Sequence, residues 1–421
     1  VIASLDRVPK VPNSPSSFST YVRPIKAVRA TDAHTLVMTT EKPHPLLPND
    51  LSTVYIVSKK AAASASTDDF NNGKAAIGTG PYKLVRFAKG DRLELARNDA
   101  WWGGKTPWEK ATLRILTNDP ARVAALLSGD IQALENAPTA DMARLKNDKN
   151  LSLARVGSNR LIYLHLDSNR DVSPFVTDKQ GKPLTKNPLK DARVRKAISL
   201  ALNRDAIVSR VMEGEAVAAG QPLPDGYPGT SKNLKPDKFD TAQAKKLLAE
   251  AGYPDGFGIT IHAPNNRYVN DEQIAQAVAQ MLSRAGIATK VDAMPSSVYF
   301  TRATKLEFSL MLLGWSAGSG EMSDSLRPLL GTFDAKKGWG NANRGRYSNS
   351  KFDAMLEDAL VTINDAKREA LLARATEIAM ADQGIIPLHF QMNVWAMKKN
   401  LSYSPRTDEY TFAWMFKPVG K

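Results

Sequence analysis

Asn187-Pro-Leu-Lys-Asp-Ala-Arg-Val-Arg-Lys-Ala-Ile-Ser-Leu-Ala-Leu-Asn-Arg-Asp-Ala-Ile207 is the stretch from which the fold reads outward. Asp191 is a good helix N-cap, because its side chain can accept from a free amide of the first turn. Val194, Ala197, Ile198, Ala201 and Leu202 then recur at the i, i+3, i+4 spacing of one buried helix face, with Arg193, Arg195 and Lys196 expected toward solvent. Asn203-Arg-Asp205 interrupts that pattern, and a second apolar stripe of Ile207, Val208, Val211 and Met212 stops at Gly214. On its own such a helix pair suits any α/β protein.

Downstream, helix and strand patterns alternate, which argues for α/β units. A helix is expected from the N-cap Asp240 to Ala251, a strand over Ile259 to His262 and a helix over Asp271 to Ala285. Strands over Ile287 to Ala293 and Phe308 to Leu313 follow, then helices over Lys351 to Thr362 and Asp365 to Met380, and apolar runs at 385–390 and 394–397. Upstream, Tyr82 to Phe87 and Arg92 to Arg97 alternate around a Lys89-Gly90 turn, as the arms of a hairpin do. Asn159 to Asp167 is a strong strand candidate, and the Pro-, Asp- and Lys-rich Ser168 to Lys190 reads as a boundary loop.

At 421 residues with 43% hydrophobic and 24% charged content, the chain has the composition of an ordinary globular protein with room for two or three domains. Its longest apolar runs fall far short of the roughly 20 residues of a membrane-spanning helix. The absence of cysteine excludes disulfides, thiolate metal sites and a cysteine nucleophile. A formal charge of +14 brings nucleic acid into consideration, yet Lys and Arg are dispersed among 43 acidic residues with no basic block interleaved with aromatics. A basic nucleic-acid-binding protein is therefore the weaker of the alternative readings.

The sharper rival is enzymatic. Gly314-Trp-Ser-Ala-Gly318 matches the G-x-S-x-G nucleophile elbow, and a strand precedes it. In that reading Ser316 attacks, Asp353 or Asp365 orients, and His389 is the base. An elbow needs a helix to begin at once after the serine, whereas Ser316 to Asp324 carries glycines and helix-poor residues and reads as a loop. Gly78 and Gly80 do not make a phosphate loop, since no Gly-Lys-Ser/Thr follows and Pro81 lacks an amide hydrogen. The five histidines are isolated, so no metal site is expected.

Several segments, in order, resemble one family. The Asn187–Ile207 run, Gly78-Thr-Gly-Pro-Tyr-Lys-Leu-Val-Arg-Phe87 with Gly90 to Gly104, Phe308 to Leu330, and the Arg346-Tyr-Ser-Asn349 turn resemble the family 5 solute-binding proteins of peptide- and nickel-type ABC importers. The resemblance implies an α/β, two-lobed periplasmic-binding-protein fold (type II, peptide-binding cluster) with a hinge and an interlobe cleft. Lobe I would hold residues 1–167 with 386–421 returning to it, and lobe II residues 168–385. Val1 to Val8 resembles an interior family segment, so the chain is expected to lack its N-terminal portion.

The implied function is capture of a short peptide or similar small solute outside the cytoplasm, in the periplasm, by a monomer that delivers it to a membrane permease. No enzyme activity and no cofactor are expected. The implied ligand-binding residues are Asn159, Arg267, Trp315, Ser316, Ala317, Gly318, Glu321 and Asn341. Arg267 falls near the family's carboxylate-binding arginine, and a guanidinium can grip a carboxylate through two parallel hydrogen bonds. Gly318 stands where peptide binders carry the aspartate that holds a peptide's amino terminus, leaving Glu321 as the nearest acid. Trp315 offers a flat apolar wall, and the neighbouring glycines allow close approach of ligand to backbone.

Overall fold

A computed structural model of the chain describes residues 1–12 and 18–420. Among them the strands are, in chain order, β1 (Ile25–Ala30), β2 (Leu36–Thr40), β3 (Tyr82–Ala88), β4 (Arg92–Arg97), β5 (Lys110–Arg114), β6 (Ala133–Leu134), β7 (Leu151–Leu166), β8 (Val176–Thr177), β9 (Ala216–Ala218), β10 (Phe257–Pro264), β11 (Ile287–Met294), β12 (Leu310–Ser316), β13 (Ile386–Lys398), β14 (Leu401–Ser402) and β15 (Lys417–Pro418). The longer helices are α1 (Asp119–Ser128), α2 (Ala192–Leu200), α3 (Thr241–Glu250), α4 (Asp271–Arg284), α5 (Ser296–Thr304), α6 (Ser323–Leu329), α7 (Ser350–Val361) and α8 (Asp365–Ala381). None of them is long and apolar enough to cross a membrane.

The chain divides into two compact units, Val1–Arg155 with Val394–Lys421, and Val156–Asn393. These divisions fall inside β7 and β13, whereas the sequence reading put its boundaries at the end of β7 and just before β13. Unit 1 contains the antiparallel β1–β2 pair, the antiparallel sheet β3-β4-β5, and β6 paired with Ala396 and Met397 of β13. Gly90, at φ +82, turns β3 into β4 as the alternation predicts. Helix α1 is bounded by the chemistry of its own residues. Asn118 accepts from the Ala121 amide, Pro120 occupies the first turn, and Gly129 leaves the helix at φ +92.

Unit 2 is built on a mixed sheet in the order β11-β10-β12-β7-β13. β10 runs parallel to both β11 and β12, β12 runs antiparallel to β7, and β8 and β9 are short antiparallel additions to β10 and β13. Alternation along the strands sends side chains to two buried faces. Ile162, Leu164, Leu310 and Leu312 pack with Val194, Ala197 and Ile198 of α2, Leu248 of α3 and Ile274, Val278 and Leu282 of α4. Leu161, Tyr163, Met311 and Leu313 face the other way, against Tyr299 of α5, Leu326 of α6, Phe352 and Leu356 of α7 and Leu372 of α8. Helices on both faces make this the α/β layer arrangement expected from the sequence. Each such fully buried Leu- or Ile-sized side chain contributes roughly 1.5–3 kcal/mol of transfer free energy.

Asp191 caps α2 by accepting from the Arg193 amide, and Val194, Ala197, Ile198, Ala201 and Leu202 are fully buried. Arg195 departs from expectation. It is buried and donates to the carbonyls of Asp382, Leu189 and Lys190, which satisfy a guanidinium away from water. The stretch after Asn203 is a single helical turn followed by a π-turn over Ile207–Val211, ended by Gly214 at φ +79.

Candidate functional site

The parallel strands β10 and β12 end at one edge of unit 2, and the loops that follow them, Asn265–Asn270 and Ala317–Met322, carry half of the ligand residues singled out from the sequence, with Trp315 and Ser316 at the end of β12 itself. Strand ends in open α/β sheets present free backbone groups and helix N-termini, which is why ligands gather there.

Gly314 sits near the end of β12 for a steric reason. A Cβ there would lie 2.6 Å from Cε1 of Tyr268 and 3.0 Å from Cδ1 of Ile162. The bare backbone lets the Tyr268 ring lie against the strand, with its phenol 3.4 Å from the Gly314 carbonyl. Trp315 is half-buried against the second core, and its indole Nε1 is buried with no hydrogen-bond partner among the described residues. The Ser316 hydroxyl donates to Oδ1 of Asn159 at 2.5 Å, and Nδ2 of Asn159 donates to the Ala317 carbonyl at 2.9 Å. Asn159, Ser316 and Ala317 thus form one bonded brace that ties the end of β12 to β7. Gly318 is exposed, and the turn beyond it is shaped by Gly320 N–H to the Ala317 carbonyl and by Ser319 N–H to Asp324.

Arg267 lies in the loop after β10. Asp271, whose carboxyl is pushed up by burial, accepts from the amides of Arg267 at 2.8 Å, Tyr268 at 3.0 Å and Glu272 at 3.0 Å, and so fixes the loop to the start of α4. The Arg267 guanidinium is exposed, lies 5.2 Å from the centre of the Tyr268 ring, and has no ion-pair partner among the described residues. Burial raises the Tyr268 phenol, while the charges of Arg267, Arg160 and Arg344 pull it back down. Tyr268, buried between Arg267 and the end of β12, carries no sequence signal beyond being next to Arg267.

Two residues, Glu321 and Asn341, and the rival hydrolase set are placed otherwise than the sequence reading had them. Glu321 is buried and committed: Arg368 holds it at 2.8 Å and the Ser323 hydroxyl donates to its other oxygen, so its charge is neutralised inside the unit. Asn341 is exposed, and the working asparagine of its loop is the fully buried Asn343. That side chain donates to the carbonyls of Gly331 and Tyr347 and accepts from the Tyr347 amide. The hydrolase residues are not brought together. Helix α6 starts at Ser323 and not directly after Ser316, Asp353 accepts from Thr332, Asp365 pairs with Arg368, and both ring nitrogens of His389 are buried without a partner among the described residues. Among the described residues no group of three or more His, Asp or Glu could hold a metal ion.

Unit 1 has a groove of about 840 Å³ beside β5, the terminal strand of its sheet, with Trp108, Leu113, Arg122, Leu134 and Phe416 among its walls. None of the residues singled out from the sequence lines it.

The model of the bacterial extracellular solute-binding proteins, family 5 middle, matches residues 1–337 of the chain. The chain belongs to this family. Among its relatives, haem-binding protein A of Haemophilus influenzae is 27% identical over 378 residues, 86% of this chain and 64% of that protein. The glutathione-binding protein GsiB of Pectobacterium atrosepticum is 29% identical over 390 residues, 90% of this chain and 71% of that protein. The chain therefore spans about two thirds of the length of these relatives. The periplasmic binding protein DppA of Helicobacter pylori, solved with the peptide STSA, superimposes with a TM-score of 0.79 over 95% of this chain and 76% of that one, at 24% identity. The fold is the mixed α/β fold of the periplasmic binding proteins. The Ser316 hydroxyl is engaged in its bond to Asn159, a structural task.

Proposed function

We propose that this chain is the solute-binding component of an ABC importer, acting in the periplasm, and that it holds a short peptide or similar small solute by a carboxylate at the strand-end surface of unit 2. The observation that carries this reading is the exposed Arg267 guanidinium, uncompensated by any acid among the described residues, beside the ends of β10 and β12. Trp315 supplies an apolar wall with a buried indole N–H to spare, and Gly318 leaves the loop open. Capture ends in delivery to a membrane permease, as the relatives' family implies. Since Gly318 carries no charge and Glu321 is neutralised by Arg368, the ligand's amine has no anchor in this loop. Acids with a blocked amine therefore bind about as well as their zwitterionic counterparts.

The test begins with native mass spectrometry of the purified protein to identify a retained solute. Calorimetry then compares that solute on the wild type and on Arg267→Ala. Loss of a charge-assisted pair weakens binding by about 1.5–3 kcal/mol, a ten- to hundredfold change. Unchanged affinity in Arg267→Ala would put the carboxylate elsewhere. Strict dependence on a free amine would mean that another acid has taken over the amino-terminal role.

A further inference from the structure

We propose that Asp271 and Asn266 are positioning residues of the solute site: neither touches the solute, and together they set in advance the backbone that carries Arg267. This inference rests on the reading of Arg267 given above and adds how that anchor is held. The loop Asn265–Asn270 is tied to its surroundings in unit 2 along its whole length. The Asn265 amide donates to the carbonyl of Met294, the last residue of β11, at 3.0 Å. Oδ1 of Asn266 accepts from the Ser296 amide at 2.8 Å, one of the free donors at the start of α5. A single oxygen of the buried Asp271, Oδ2, accepts from the amides of both Arg267 and Tyr268, while Oδ1 takes the Glu272 amide. Asn270, at φ +56, turns the chain into α4, and its side chain donates to the Val211 carbonyl at 2.6 Å.

The Asp271 carboxylate reaches back into amides that precede its helix, so the loop is folded around a charge that the protein itself supplies. Tyr268 is buried against Gly314 and Asn266 is bonded to α5, which leaves Arg267, between these two fixed neighbours, with its side chain exposed. A long side chain is aimed only as well as the backbone beneath it is held. A loop that is ordered beforehand loses little freedom when a solute arrives, so more of the attraction between guanidinium and carboxylate appears as affinity. Freeing the loop should therefore weaken binding even though the guanidinium itself is untouched.

The test is calorimetry with N-acetyl-alanyl-alanine, which carries one carboxylate and no amine, on the whole chain and on Arg267→Ala, Asp271→Ala, Asp271→Asn and Asn266→Ala, with thermal melting of each. Asp271→Ala should weaken binding roughly three- to tenfold, the cost of ordering a freed loop. Asp271→Asn should restore most of that loss, since its amide oxygen can accept from the same two backbone amides, although losing a charge beside the α4 N-terminus lowers its melting temperature. A residue that served stability alone would not separate affinity from melting in this way. Asn266→Ala, at an exposed position, should also weaken binding and covers the case in which Asp271→Ala fails to fold. Affinities that merely follow the melting temperatures, or wild-type affinity in Asp271→Ala and Asn266→Ala while Arg267→Ala loses the probe, would overturn the positioning role and leave the reading of Arg267 standing. A wild-type chain that does not bind the probe at millimolar concentration, or an Arg267→Ala chain that binds it equally well, would overturn the carboxylate reading and this inference with it.

Discussion

Glu321 and Arg368 are 47 residues apart in the chain, yet in unit 2 they form an ion pair 2.8 Å long whose side chains are both almost wholly shielded from water. In the sequence, Glu321 is an acid in a ligand-binding loop, and nothing local says that a distant arginine will claim it. Removing the charge of Glu321 leaves the buried Arg368 guanidinium with the exposed Asp365, at 2.8 Å, as its remaining acid. Glu321→Gln should therefore lower the unfolding free energy by about 1–3 kcal/mol in a urea titration while leaving solute affinity intact. The double substitution Glu321→Leu with Arg368→Met should recover most of that loss, because two apolar groups carry no uncompensated charge. An affinity loss in Glu321→Gln with stability preserved would return this residue to the ligand.

At the scale of elements, β12 depends on one absent side chain. Gly314 accommodates Tyr268, and Tyr268 in turn carries Arg267. Gly314→Ala forces the new methyl into the tyrosine ring, an overpacking that should cost about 1–3 kcal/mol and shift the loop after β10. Thermal melting and solute titration should both respond, and a silent Gly314→Ala would mean that Tyr268 moves aside without consequence. Most elements of unit 2 are legible from periodicity, because amphipathic helices with clear caps alternate with apolar strands. Helix α5 was not read from the sequence, since Ser-Ser-Val-Tyr-Phe-Thr-Arg-Ala-Thr304 is rich in β-branched and aromatic residues that favour strands. Tyr299 is helical there because its ring fills the second core and its hydroxyl reaches the Leu312 carbonyl at 2.7 Å. The two apolar runs near the end of the chain are one continuous strand, β13, as its polar members Gln391 and Asn393 are buried within it.

For the molecule as a whole, the described hydrophobic clusters both lie in unit 2, and so do three fully buried histidines. Burial holds His165 and His389 neutral, each with a pKa of about 3. His262, stacked 4.0 Å from the Phe308 ring, is held at about 4, chiefly by burial and against the pull of Asp292. Above pH 6.5 the imidazoles are neutral in both folded and unfolded chains and stability does not depend on them. As pH falls below 6.5, the unfolded chain takes up protons that the folded one refuses, so each histidine removes about 1.4 kcal/mol of stability per pH unit. That loss continues down to about pH 4 for His262 and about pH 3 for the other two. His389→Leu, which deletes two unpartnered ring nitrogens, should keep stability at pH 7.5 and flatten the decline by one histidine's share. Urea titrations between pH 7.5 and 4 measure this, and an unaltered slope would show that His389 accepts its proton in the folded state.

The sequence by itself determined the α/β class, the capped helix over Ala192–Leu200, the hairpin of β3 and β4 and much of the succession of strands and helices along unit 2. These features follow from spacings of a few residues, where side-chain periodicity and capping chemistry act locally. It also placed Arg267 and the Trp315–Gly318 stretch near strand ends, because strand limits can be read from where alternation stops, whereas Asn159, read as the start of a strand, lies in the middle of β7. Tertiary structure alone decided which charges are free. Glu321 is taken by Arg368, Arg195 by backbone carbonyls, and Asn343 rather than Asn341 holds its loop. Periodicity records which face of an element is buried. Whether a buried or half-buried charge meets its counter-charge depends on residues tens to hundreds of positions away, and only packing brings those together.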